Sequence, residues 1–167
     1  MLRSFCESDF PGFLALIEDK MASEWAPYDA QWPTDETALR HMLARFSCIE
    51  HWYAMEHEGD IIGFVVAQPD AEGLSRDIGY TVRRDMQRKG FAYEACAAVM
   101  RECAHDERLV RFTAGTAECN HPSRRLLAKL GFTPKAMHRA WFKKDENGQP
   151  MWFLGHSYEC GTEAWRK

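Results

Sequence analysis

A chain of 167 residues, 46% apolar and 28% charged, has the length and composition of a globular protein with one substantial core. No apolar run approaches the ~20 residues that a membrane span needs, and the N-terminus lacks a basic-then-apolar leader pattern, so a cytoplasmic protein without a membrane partner is expected. A net charge of −4 and the lack of a basic–aromatic motif speak against direct nucleic-acid binding.

In chain order, residues 2–5 read as a short strand. Ser8 or Asp9 caps a helix running to about residue 20, with Pro11 in its first turn, where a missing N–H costs nothing. Residues 23–33 form a loop with Trp25, Pro27, Tyr28, Trp32 and Pro33. A second helix starts near Thr34, and Leu39, Met42, Leu43 and Phe46 fall on one stripe of it. Residues 49–57 and 61–68 are β-rich runs separated by Glu58-Gly59-Asp60, a hairpin signal. A turn over 69–73 leads into a strand at 74–82, and a long helix follows from about 91 to 108. Strands are predicted at 109–116, 132–137 and 151–159, with a short helix at 124–130 and a turn at Asp145-Glu146-Asn147-Gly148. Without repeats, low-complexity stretches or linkers, residues 1–167 read as one domain of α/β order.

Two segments carry chemistry. Gln87-Arg88-Lys89-Gly90-Phe91-Ala92 joins a strand to a helix through a small-residue turn. Such a turn leaves backbone N–H groups unpaired at the positive end of the helix dipole, and Arg83, Arg84, Arg88 and Lys89 add charge. A pyrophosphate is the anion that suits this nest. About thirty residues later, Asn120-His121-Pro122-Ser123 opens a helical segment closed by Gly131-Phe132. Asn120 or His121 suits the N-cap, Pro122 the first turn and Gly131 the left-handed C′ position.

Together these segments resemble the Gcn5-related N-acetyltransferase superfamily. Residues 87–92 look like its pyrophosphate loop; Asn120, Ser123 and residues 126–132 look like its second acetyl-CoA segment. The Asn-x-x-Ser form, Ile78-Gly79-Tyr80 before the loop and Tyr93-Glu94-Ala95 after it are similar to the branch containing ribosomal-protein N-terminal acetyltransferases. The resemblance implies a mixed, mostly antiparallel twisted sheet of six to seven strands flanked by about four helices, with one strand pair splayed to hold acetyl-CoA. It implies that the pantetheine arm runs past Thr81 and Val82, that Gln87, Arg88, Lys89, Gly90, Phe91 and Ala92 hold the pyrophosphate, and that Asn120 positions the arm.

Direct acetyl transfer needs a neutral amine, a polarised thioester and a proton for the leaving thiolate. Many superfamily members place a tyrosine acid where this chain has Leu127, so the resemblance passes that role to Ser123, whose other reading is helix capping. Asp77 is the first choice of base, with Glu50 and His51 as alternatives, and an amine that arrives neutral needs none. Trp25, Tyr28 and Trp32 are expected either to wall the acceptor pocket or to pack their loop onto the core. Residues 1–82 hold 15 acids and 5 bases, residues 83–167 hold 10 acids and 16 bases, so the half lacking the cofactor motifs offers a field that attracts amines. The acceptor is then a protein N-terminus or a small amine such as a polyamine, amino acid or aminoglycoside, and a non-catalytic acetyl-CoA-binding module is the reading from another class. Six cysteines without a Cys-x-x-Cys pair read as reduced packing residues, and no histidine spacing suggests a metal. The chain is expected to act as a monomer or homodimer.

Overall fold

The β-rich runs pair as their hairpin signals direct. The computed structural model describes residues 1–166. Its strands are β1 (Leu2–Ser4), β2 (Trp52–His57), β3 (Asp60–Pro69), β4 (Ser75–Val82), β5 (Arg111–Ala117), β6 (Thr133–Ala140) and β7 (Phe153–Gly161), and its α-helices are α1 (Phe10–Met21), α2 (Glu36–Phe46), α3 (Phe91–Cys103) and α4 (His121–Lys129). One seven-stranded sheet results, in the order β1-β2-β3-β4-β5-β7-β6. Every neighbouring pair is antiparallel except β4–β5.

The parallel pair is the feature that positions a site. Ser75, Arg76 and Asp77 pair with Arg111, Phe112 and Thr113, and the ladder then stops. Residues 78–82 stay bound to β3 on one side, while 114–117 stay bound to β7 on the other. The two strands therefore part beyond Asp77 and Thr113, leaving backbone groups in the gap with no partner strand. This is the splayed pair expected from the sequence.

Each sheet face carries two helices, α3 and α4 on one and, over β2 and β3, α1 and α2 on the other. Ile62, Val65, Ile78 and Phe112 meet Cys96, Val99 and Met100 of α3 and Leu127 of α4. Ala54, Ile61 and Phe64 meet Phe13, Leu16 and Ile17 of α1 and Leu39 and Leu43 of α2. Cys96 and Cys103 are buried packing residues, and burial pushes their thiols up to about 12 and about 11, respectively.

Several boundaries move for local reasons. The second helix begins at Glu36 rather than near Thr34, because the Asp35 carboxylate accepts the Ala38 N–H at 2.8 Å. The long helix ends at Cys103 rather than near 108, where Asp106 accepts the Arg108 N–H at 3.0 Å and holds a turn. Asp9 precedes α1, yet its carboxylate is not the cap. It takes two N–H groups of Arg3 at 2.7 Å each and that of Cys6 at 2.8 Å, and the Arg3 guanidinium holds it below the usual carboxylate range.

Trp32 is the clearest relocation. Its ring lies 6.2 Å from Phe13, 5.8 Å from Phe46 and 5.6 Å from Phe64, within the aromatic core between α1, α2 and the sheet. The packing alternative describes it, not the acceptor wall. Trp32→Ala is expected to cost about 3 kcal/mol of stability through lost burial and a residual cavity. Denaturant unfolding measures that loss, and acceptor KM should stay unchanged in the folded fraction.

Candidate active site

The strand-to-helix turn folds as its residues dictate. Gly90 occupies the N-cap of α3 at φ 96°, a left-handed conformation that a side chain would strain, and no side chain caps the helix. Arg88 is also left-handed at φ 63°. Alternating left-handed residues turn successive N–H groups toward one side, forming an anion nest at the positive end of the α3 dipole. The turn is braced from outside: Gln87 Nε2 donates to the Val82 carbonyl at 2.9 Å. The Arg84 N–H and Nε reach the Asp19 carboxylate at 2.9 and 2.8 Å. Arg83 pairs with Asp85 at 2.7 Å, whereas no acid pairs with Arg88, Lys89, Arg125 or Lys129 among the described residues.

In front of this turn lies a cavity of about 500 Å³ that brings most of the expected residues together. Thr81, Val82, Gln87, Arg88, Gly90, Phe91, Ala92, Asn120 and Ser123 all line it. Lys89 does not, and its Nζ lies 3.4 Å from Met86 Sδ. Trp25 lines the same cavity, so the α1–α2 loop reaches the strand-to-helix turn at Gly90. Tyr28 stands apart, edge-on to Phe153 of β7 at 5.5 Å. Asp77 is also outside the cavity lining, at the last paired step before the strands part.

At the α4 end of the cavity the two readings of Ser123 separate. Capping falls to Asn120, whose Oδ1 accepts the Ser123 N–H at 3.1 Å. The Ser123 hydroxyl instead lies 2.8 Å from the Tyr80 hydroxyl. Strand alternation turns Tyr80 to the same face as Ile78 and Val82, over the splay and toward α4. Desolvation pushes the Tyr80 phenol well above its ordinary value, against a smaller opposing effect of the Ser123 bond, so it stays protonated at neutral pH. Leu127, where many relatives carry a tyrosine, is fully buried in the core.

Asp77 accepts the Thr113 hydroxyl at 2.9 Å. The residue is exposed as a whole, yet protein crowding its carboxyl raises its pKa above the ordinary value, and the Thr113 bond opposes that rise. The expected strand over 49–57 begins only at Trp52, leaving Glu50 exposed and His51 buried, with Nδ1 unpartnered, in the turn before β2; neither lines the cavity. Tyr80 and Lys129, which the motifs contain without a role of their own, and Arg125, which they do not contain, also line the cavity. Arg125 and Lys129 are spaced i, i+4 on α4 with Pro122 and Leu126 beside them, which places both on one helix face. No group of three or more potential metal ligands occurs among the described residues.

An open parallel strand pair with an anion nest and a cavity beside it is the architecture expected of an acyl-transfer enzyme. Residues 1–133 match the family model for the GNAT acetyltransferase domain, and the chain belongs to that family of N-acetyltransferases. No curated protein matches it in sequence. In fold it is similar to a GNAT-family acetyltransferase from Bacillus anthracis, at 20% identity and TM-score 0.80 over 97% of this chain and 94% of the other. It is similar also to the ribosomal-protein-S5-alanine acetyltransferase from Vibrio fischeri, at 17% identity and TM-score 0.78 over 99% and 94%. Mycobacterium smegmatis RimJ, solved in complex with CoA-disulfide, matches at 18% identity and TM-score 0.79 over 99% and 83%.

Proposed function

We propose that this chain is a single-domain enzyme that moves the acetyl group of acetyl-CoA directly to the N-terminal amine of a polypeptide. The observation that carries the donor assignment is the shared cavity. It is lined by Gly90 of the nest, by Ser123, and by the cations Arg88, Arg125 and Lys129, which no acid pairs among the described residues. In this reading the nest binds the pyrophosphate and the backbone of residues 81–82 pairs with the pantetheine amides, the Val82 carbonyl exchanging its bond from Gln87 Nε2 for one of them. That path brings the thioester to the Ser123–Tyr80 pair. The amine nitrogen attacks the thioester carbonyl, the C–S bond breaks, and the sulfur takes the Ser123 proton while Tyr80 replaces it.

The acceptor side is supported by what covers the sheet. On the face opposite α3 and α4, α1 packs against β3, while Gly115, Thr133, Ala136 and His138 of the outer strands are exposed. Alternation sends Asp77 and Thr113 to this face, and Tyr28, Phe153 and Phe142 form a continuous aromatic wall at one end. An open face walled by aromatic rings suits an extended chain better than a small amine. The fold neighbour from Vibrio fischeri is named for an alanine of a ribosomal protein, in keeping with that substrate class.

Asp77 receives the amine proton in this scheme. Because its folded pKa is raised, the base is competent only above that value, and kcat/KM should rise with pH through it. Asp77→Asn is expected to lower kcat/KM ~10²-fold and to remove that acidic limb. A pH–rate profile of both proteins that differs only by a constant factor would exclude the base role. The acceptor class is tested by thiol release from acetyl-CoA across a panel of peptides, polyamines, amino acids and aminoglycosides. Turnover confined to small amines overturns the polypeptide assignment, and none with any amine supports a binding module.

A further inference from the structure

The outer edge of the sheet carries a surface that the acetyl-transfer site does not use. β6 pairs with β7 alone, so its far side is a free edge. Met137 and Arg139 stand opposite His156 and Leu154, which strand alternation places on the face that α3 and α4 cover further in. The outer strip of that face is left open: Met137 is 61% exposed, Trp152 52% and Leu154 44%. The Arg139 guanidinium lies 4.8 Å from the Trp152 ring centroid, and nearer the hairpin end Lys144 Nζ lies 6.0 Å from that of Trp141. Arg139, Lys143 and Lys144 are exposed, and no acid pairs with them among the described residues. Residues 135–154 hold four lysines or arginines against two acids, Asp145 and Glu146. The Asp145 carboxylate is tied into the turn, where it accepts the Asn147 and Gln149 N–H groups at 2.9 and 2.8 Å.

We infer that this β6–β7 strip is a docking surface for single-stranded RNA. The chain as a whole is acidic, but the pairing of β6 with β7 gathers cations and aromatic rings from two strands at one edge. An unpaired base has a flat π-face that stacks on an exposed indole, and the phosphates on either side of it seek cations. The half-exposed Trp152 ring takes a base while the guanidinium beside it meets the phosphate, and Lys143 and Lys144 continue the charge toward the hairpin end. Unpaired bases belong to the loops and ends of RNA more than to DNA, whose duplex hides the base faces. Other occupants fit less well. A bilayer needs apolar groups at the leading end, whereas the hairpin tip is Asp145-Glu146-Asn147-Gly148 and the rings lie on the flank. A second copy docked about a two-fold axis would set this row of cations against its own image.

Fluorescence anisotropy at low salt with a labelled, unstructured RNA of about 12 nucleotides tests the surface. Saturating CoA is present throughout, to keep RNA phosphates out of the donor cavity. The RNA should bind, quench tryptophan fluorescence and weaken with salt at a log–log slope of about −2, as expected for three phosphate contacts. Trp152→Ala should weaken binding about tenfold with the slope unchanged. Arg139→Ala should weaken it too and make the slope shallower by about 0.7. Matching melting temperatures and CoA affinities would show that both variants are folded. Absence of binding to the native protein, equal binding by the variants, or tighter binding of the same sequence as a duplex overturns the proposal. RNA binding that appears only without CoA places the RNA in the donor cavity and also overturns it. Trp152-dependent capture by phosphatidylserine vesicles, or a dimer that Trp152→Ala dissociates, in place of RNA binding, gives the strip to a membrane or a second copy, and the inference is then wrong.

Discussion

Gly90→Val is expected to abolish acetyl-CoA binding while leaving a folded protein. Gly90 sits at φ 96°, a region that a β-branched residue enters only at a cost of about 1–3 kcal/mol. Its surroundings are open: a Cβ built there would meet nothing closer than Glu94 Oε1 at 3.5 Å. The substitution therefore strains the backbone rather than the core, and the turn relaxes by rotating the N–H groups of the nest away from a common point. Those N–H groups, not the exposed side chains of Arg88 and Lys89, supply the fixed geometry of an anion site. Charge removal at Arg88 or Lys89 should weaken binding modestly and in a salt-dependent way, whereas Gly90→Val removes the cradle. Thermal shift reads the difference: a ligand at 100 times its Kd adds ~2.7 kcal/mol to the native protein. A folded Gly90→Val protein with unchanged affinity would sink the phosphate-loop assignment.

What the sequence made legible follows from how local each signal is. The Gly90 turn, the Asn120 cap with Pro122, and the Gly131 stop at φ 86° are decided within a few residues, and they lie where the pattern places them. The order of strands and helices was equally readable, because periodicity and turn residues report on neighbours in the chain. The role of Trp32 was not. A tryptophan in a proline-flanked loop has the same local pattern whether it walls a pocket or fills a gap between helices. Contacts with Phe13 and Phe64, far away in sequence, decide it. The same limit applies to Trp25 and Tyr28, which share a loop yet face the cofactor cavity and β7, respectively. Tyr80 was hidden for a related reason: its partner lies 43 residues away, across a gap that exists only once β4 and β5 have parted.

That long-range pair determines the other large effect. Ser123→Ala is expected to reduce turnover ~10²-fold or more with little change in acetyl-CoA affinity. A serine hydroxyl is a poor acid in water, and it becomes an effective donor only if the proton it gives is replaced as it leaves. Tyr80 is placed to do this at 2.8 Å, and its desolvated phenol is neutral when turnover begins. Tyr80→Phe should therefore lower kcat as well, while the double variant should be little worse than Ser123→Ala alone, since the two hydroxyls act in one chain. Stability separates this from a structural role. Asn120 already caps α4, so loss of the Ser123 hydroxyl should cost well under the ~1 kcal/mol of a lost N-cap. Additive effects of the two substitutions on turnover would show that the hydroxyls act independently. A Ser123→Ala enzyme with normal turnover would remove serine from the reaction altogether.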